Sequence, residues 1–312
     1  MHEPLRYWVY FNAFVLAVLA LDLAVFNRKA KQSSFKRALC WVMLWVGLAV
    51  AFTLLVLHAW GYEKALEFTT GYVIELSLSV DNLFIFLLIF HHFAVPAELQ
   101  HRVLFWGVLG ALVMRGVFVI AGSELLQRFD WIIYLFGAFL VCTAIRTAFR
   151  REQVDPKNNL ALRVFRRLLP VTSDFEGSQF AVRREGKTCA TPLLLVLLLV
   201  EATDVLLATD SVPAVLSITR DAFIVYTSNI FAVLGLRSLY FVVAGMMRRF
   251  YLLHYGVCVL LGFVGVKMLL SHYFEISTAL TLLIVIGVLL ASVLGSIVFP
   301  KDPRKETRIT QS

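Results

Sequence analysis

Apolar runs of about 20 residues recur along this 312-residue chain, separated by short polar stretches. A helix needs about 20 mostly apolar residues to cross a bilayer. On that rule the pattern predicts nine spans, at about 7–26, 39–60, 69–92, 103–122, 131–149, 191–213, 222–246, 251–271 and 279–299. The first run has no basic residues grouped before it in signal-peptide fashion and no small-x-small cleavage site, so it reads as a helix. The fold class expected is all-α: a polytopic membrane protein forming one transmembrane domain over 1–312. Composition agrees, with 60% hydrophobic and 16% charged residues. A soluble domain has about 45–50% and about 25%.

Net charge is +8, and its placement matters more than its size. Arg28, Lys29, Lys31, Lys36 and Arg37 crowd the first connection. A second basic group (Arg150, Arg151, Lys157, Arg163, Arg166, Arg167, Arg183, Arg184 and Lys187) fills the loop over about 150–190. Arg248, Arg249 and the tail "KDPRKETR" follow. One orientation puts every basic loop in the cytoplasm: N-terminus outside, C-terminus inside. The charge therefore reads as topology control and not as nucleic-acid binding. Within the long loop, "LALRVFRRLLP" fits either a basic surface-lying helix or a solvated connector. Cys40, Cys142, Cys189 and Cys258 form no CxxC pair, which leaves no thiol redox motif.

Two segments break the apolar pattern in the same way. Span three carries "ELSLSVDN" from Glu75 to Asn82; span six carries "DVLLATDS" from Asp204 to Ser211. "RGVFVIAG" from Arg115 parallels "RSLYFVVAG" from Arg237, and Arg146 and Lys267 each lie 17 residues after the Phe of an RF pair. Spans three to five (about 69–149) thus resemble spans six to eight (about 191–271). A repeat of three helices is odd-numbered, so the two units are expected to be inverted, as in many transporters with a midplane site.

Five acids fall in or near the apolar centres of spans three and six: Glu75, Asp81, Glu201, Asp204 and Asp210. Each costs roughly 2.5–3.5 kcal/mol at midplane, on the order of 13–17 kcal/mol together if ionised and unpaired. Net stability is only about 5–15 kcal/mol. The acids must therefore face a cation, a base, water or one another. Glu75, Ser79 and Asn82 share one helical face, as do Asp204, Ala208 and Ser211. Glu201 and Asp204 are neighbours at i, i+3. Asp81 and Asp210 are rotated by about 120° from the acid six residues earlier, so they face another helix or the helix unwinds. Pro213 favours unwinding, because it frees the carbonyl of Thr209. Oxygen ligands of this kind suit Mg²⁺, Ca²⁺ or Mn²⁺, and with neither Cys nor His in the motifs zinc and copper are disfavoured.

The plainer alternative is that Arg115, Arg237 and Lys267 pair with the acids merely to fix helix packing. Five acids against three bases leave two over. Asp22 reads as a lone acid at a span end, with lining a pathway as the alternative; Asn229 reads as packing glue, with a hydrogen bond to the site as the alternative; His91–His92 read as an interfacial pair, with a weak cytoplasmic entry site as the alternative.

"ELSLSVDNLFIF" and "EATDVLLATDSVPAV" resemble the two signature segments of the TerC/Alx family, and the likeness covers all nine spans. The resemblance implies a bacterial inner-membrane protein related to LysE-type transporters, with manganese export as its activity. It also implies functional roles for Glu75, Asp81, Glu201, Asp204 and Asp210. The expectation is a Mn²⁺ exporter and not an enzyme. Glu75, Asp81, Asp204 and Asp210 would form the metal site, with Glu201 on its cytoplasmic side and Asn82 and Ser211 as neutral ligands. Arg115, Arg237 and Lys267 would compensate charge. Protons replacing metal on the same carboxylates would couple export to pH. No resident cofactor is expected; the partners are a divalent metal ion, the bilayer and, through the 150–190 loop, a membrane protein. The rivals are an accessory or redox-modulator protein acting on a partner, and an intramembrane metal-dependent enzyme acting on lipid phosphate.

Overall fold

The computed structural model describes residues 5–26, 35–129, 131–149, 172, 175–184, 187–246, 252–274 and 276–298. The basic connection at 27–34, the segment "LALRVFRRLLP", Arg248–Arg249 and the C-terminal tail lie outside them. Nine helices lie among the described residues: α1 (Leu5–Phe26), α2 (Phe35–Trp60), α3 (Tyr62–His92), α4 (Ala97–Arg128), α5 (Ile132–Phe149), α6 (Pro192–Leu216), α7 (Ala222–Met246), α8 (Leu253–Leu269) and α9 (Thr278–Val298). Seven of them, α2 to α7 and α9, are long and apolar enough to cross a membrane, while Leu5–Leu21 and Leu253–Leu269 are shorter apolar segments. The outer helices point leucines, valines and phenylalanines outward, including Leu54, Leu283 and Leu294, each more than half exposed. In lipid that exposure is favourable, and the helical backbone satisfies its own polar groups.

Connections are short. α2 passes into α3 through Gly61 alone, whose φ of 89° suits a residue without a Cβ. The 150–190 loop holds an element that its sequence did not suggest. Strands β1 (Ala181–Arg184) and β2 (Lys187–Ala190) form an antiparallel hairpin with Val182 opposite Cys189. Its foot is fastened where α6 begins: Thr191 Oγ1 donates to the carbonyls of Gln179 (2.7 Å) and Phe180 (3.1 Å). It also rests on α4, where the Arg102 guanidinium lies over the Phe180 ring at 5.0 Å and donates to Ser178 Oγ at 2.7 Å.

α7 is the most enclosed helix, with α1 to α4 packed around it. Its alignment with its neighbours can be read from individual contacts. Phe68 meets Phe231, Gly71 meets Ser228 and Phe90 meets Tyr240, so α3 and α7 run parallel. Gly107 faces Val200, Gly110 faces Glu201 and Gly122 faces Leu216, so α4 and α6 run parallel too. α4 and α7 are antiparallel, with Gly116 on Tyr226 and Gln100 accepting from Tyr240 Oη at 3.0 Å. α5 and α8 also cross antiparallel, backbone against backbone, at Gly137 and Gly265. Small residues permit such approaches, which in lipid supply much of the packing energy.

A Cβ on Gly265 would lie 2.8 Å from the Gly137 carbonyl oxygen and 2.9 Å from the Val141 nitrogen. Backbone on both sides cannot step aside. Gly265→Ala is therefore expected to cost about 1–3 kcal/mol, the usual penalty for overpacking. Thermal unfolding in detergent measures it, with Gly47→Ala, which has open space around it, as the unaffected control. Equal melting of both variants would contradict the close crossing.

Candidate functional site

One arginine organises the centre of the bundle. Arg115 sits in the middle of α4 and is completely buried. Its Nη1 donates to Glu75 Oε1 of α3 and, at 2.6 Å, to Asn229 Oδ1 of α7. Its other edge faces Asp204 of α6, with Nη2 donating to Oδ1 at 3.2 Å and Nε to Oδ2 at 3.5 Å. Asn229 Nδ2 then donates to Glu75 Oε2 at 3.2 Å and closes the ring. Because Asn229 both accepts from a guanidinium and donates to a carboxylate, the network fixes the orientation of its amide. Glu75 and Asn229 are fully buried and Asp204 nearly so.

The fork shape of the guanidinium explains why arginine holds this position: it can serve two carboxylates and an amide at once, which a lysine ammonium does less well. Charge does not close. One guanidinium faces Glu75 and Asp204, leaving a net charge of −1 if both are ionised, and Glu201 stands one turn before Asp204. The Glu201 carboxylate lies against Gly110 of α4, in the space a Cβ would fill. Gly110 is thus part of the site, and so is Asn229, where the hydrogen bond to the site, and not the packing role the sequence favoured, is the one found. The spacing of Gly107 and Ala111 was the available signal for a close helix approach there.

The remaining sequence-derived residues are distributed more widely. Asp210 is half-buried and accepts from Thr143 Oγ1 of α5 at 3.2 Å, away from Arg115. α6 continues as helix from Pro192 to Leu216 through Pro213. The unwinding expected there is absent; Asp210 instead turns toward a different helix, the other option its 120° offset allowed. Asn82 and Ser211 are buried. Asp81 lies on α3, but its side chain is outside the described residues, as is that of Asp22. Arg237 is buried on α7, eight residues from Asn229, or about 12 Å along the helix. Lys267 Nζ donates to Thr281 Oγ1 of α9 at 3.1 Å. His91 and His92 are exposed at the end of α3. Among the described residues no three His, Cys, Asp or Glu side chains are arranged to hold a metal ion. The inner carboxylates are held by an arginine instead.

Removing one partner from a buried ion pair costs about 3–5 kcal/mol, because the other charge is stranded. Arg115→Met should lower stability by that amount. Adding Glu75→Gln and Asp204→Asn to it should restore at least half. Chemical denaturation of the purified variants in detergent measures both, and a stable Arg115→Met alone would show that the carboxylates do not depend on the arginine.

Comparisons with known proteins agree on one family. The integral membrane protein TerC family model matches residues 60–304. An uncharacterized membrane protein of Myxococcus xanthus is 47% identical over 292 residues, covering 93% of this chain and 92% of that protein. The Escherichia coli K12 protein named "Putative membrane-bound redox modulator Alx" is 43% identical over 295 residues, covering 90% and 91%. An uncharacterized membrane protein of Rickettsia bellii is 36% identical over 292 residues, covering 93% and 97%. No solved structure matches the chain. With the family model spanning most of the sequence and relatives aligned end to end, the chain belongs to the integral membrane protein TerC family.

Proposed function

We propose that the protein is a transporter that exports Mn²⁺ across a bacterial inner membrane, with nine spans, the N-terminus outside and the C-terminus in the cytoplasm. The observation that carries this reading is the Arg115 cluster. Carboxylates from two helices that share a sequence motif are gathered in the bundle centre around one side-chain cation, with a third carboxylate beside them. A protein that needed only a packing ion pair would balance its charges. This one gathers more acid than base, and buried acids in a membrane mark ion pathways. Oxygen donors favour a hard divalent cation. The choice of Mn²⁺ and of export follows the family resemblance.

Inverted repeats are part of the proposal. Label the first three helices of each unit in order. The first helix of one unit runs parallel to the second of the other in both pairings, α3 with α7 and α6 with α4. The third helices, α5 and α8, cross each other antiparallel. An in-plane two-fold axis relating the units would produce this set of directions. In the transport cycle Arg115 occupies the Glu75–Asp204 seat when no metal is present; a divalent cation displaces it, and protons on the same carboxylates release the metal.

The name carried by the Alx relatives suggests a redox role. Here the four cysteines lie on α2, α5, β2 and α8, without paired-thiol spacing, which gives that reading little support.

Proteoliposomes containing the purified protein should take up or release Mn²⁺ at a rate that follows an imposed pH gradient. Flux should fall at least about tenfold in Asp81→Asn and Asp210→Asn, a loss of roughly 1.4 kcal/mol in transition-state stabilisation. Absence of flux with either gradient polarity would reject transport. Flux indifferent to pH would reject only the proton coupling.

A further inference from the structure

We infer that the metal path contains two separate cation half-sites in series, one on each side of the Arg115 cluster, and that a divalent cation steps between them past the arginine. This rests on the transport reading above and replaces a single four-carboxylate site with two smaller ones.

Buried polar atoms left without partners point to it. Among the described residues, Ser79 Oγ, Asn82 Nδ2 and Ser211 Oγ are buried and lack any hydrogen-bond partner. Their residues are 0%, 3% and 1% exposed. An unsatisfied polar group costs about 1–3 kcal/mol, so three along one pathway call for a ligand. Hydroxyl and amide oxygens can both ligate a hard cation, and a half-turn of the Asn82 amide exchanges its nitrogen for its oxygen.

The positions are not together. Asn82 lies seven residues beyond Glu75, and Ser211 lies seven residues beyond Asp204. At 1.5 Å per residue each is about 10 Å past its acid. Glu75 and Asp204 meet on the same arginine. α3 is parallel to α7, α7 is antiparallel to α4, and α4 is parallel to α6; α3 and α6 therefore run in opposite directions. So Asn82 and Ser211 fall on opposite sides of the cluster, roughly 20 Å apart. Each follows an aspartate in sequence, Asp81 and Asp210.

Each half-site has its own further donors. Ser79 stands one turn from Asn82 on α3. On α6, Pro213 removes the donor for the Thr209 carbonyl, next to Asp210, and Thr143 already contacts that aspartate. Beyond Asp210 an open cavity of about 810 Å³, lined by Lys64, Glu67 and Asp221 among others, reaches Leu216. Leu216 is six residues past Asp210, about 9 Å, so this cavity, of mixed polar and apolar lining, opens on the α6 side of the cluster. Arg115 stands between the two positions as a barrier whose charge has the same sign as that of the ion it must let pass.

The test uses the full-length protein in nanodiscs with Mn²⁺ alone as the probe. Equilibrium binding should saturate at two Mn²⁺ per chain, and pulsed electron paramagnetic resonance should find a Mn²⁺–Mn²⁺ separation of about 20 Å. Asn82→Ala should weaken one site and Ser211→Ala the other, each about tenfold to a hundredfold, leaving its counterpart within twofold. Both variants delete only a side-chain tip, and an unchanged melting temperature in metal-free buffer confirms that they fold. One Mn²⁺ per chain, weakened by both variants, overturns the half-sites and leaves the transport reading standing. No Mn²⁺ binding together with no flux in proteoliposomes overturns both.

Discussion

A buried arginine is held in a bilayer by acceptors that meet its donors from within the bundle, with at least one acid among them to offset its charge. Arg115 has no exposed surface, and its guanidinium must find acceptors within the bundle. They come from three different helices: Glu75 of α3, Asp204 of α6 and Asn229 of α7. That single requirement fixes how four helices meet. It also sets the register at which the two acidic motifs face each other. Lipid gives little reason for one apolar helix face to prefer another, so a charged junction of this kind supplies specificity that apolar contact cannot.

The junction is possible because the backbones come close. Gly110 leaves the volume that the Glu201 carboxylate uses, and Gly71 brings α3 against Ser228 of α7. Elsewhere serines and threonines return their hydroxyls to their own helix. Thr70 donates to Leu66, Ser77 to Val73 and Thr203 to Leu199, so these side chains add polarity without needing partners on other helices. Against that background, a buried hydroxyl such as Ser79 Oγ, which neither bonds back nor across, stands out.

The arginine seated between Glu75 and Asp204 offsets part of the site's negative charge from within. On the proposed transport reading, exchange with a free cation would trade one charged partner for another and avoid exposing bare carboxylates to a low-dielectric interior, where the cost would be several kcal/mol per ion. The same device would limit passive leak, since a path blocked by a fixed positive charge repels cations until the arginine moves. On that reading packing and function would draw on the same residues, and Arg115 would be both a structural ion-pair partner and part of a transport site.

Much of this protein is legible in its sequence. Span length is set by bilayer thickness, and helical backbone bonds are local, so apolar runs alone locate the helices. An acid in such a run is costly wherever it lies, which makes Glu75, Asp204 and their neighbours conspicuous from their positions in the chain. The internal likeness of the two segments is also plain. Which faces meet is not. A span that is apolar all round carries no stripe to show its inward side, so the α3–α7 and α4–α6 pairings, the role of Asn229 and the turning of Asp210 toward Thr143 emerge only with the fold. The β1–β2 hairpin is hidden for another reason: its strands are four residues each, and its docking on α4 depends on Arg102 and Phe180, far apart in sequence. Local sequence determined what crosses the membrane; only the tertiary structure decided which charges face one another, because that depends on contacts between residues 40 to 154 positions apart.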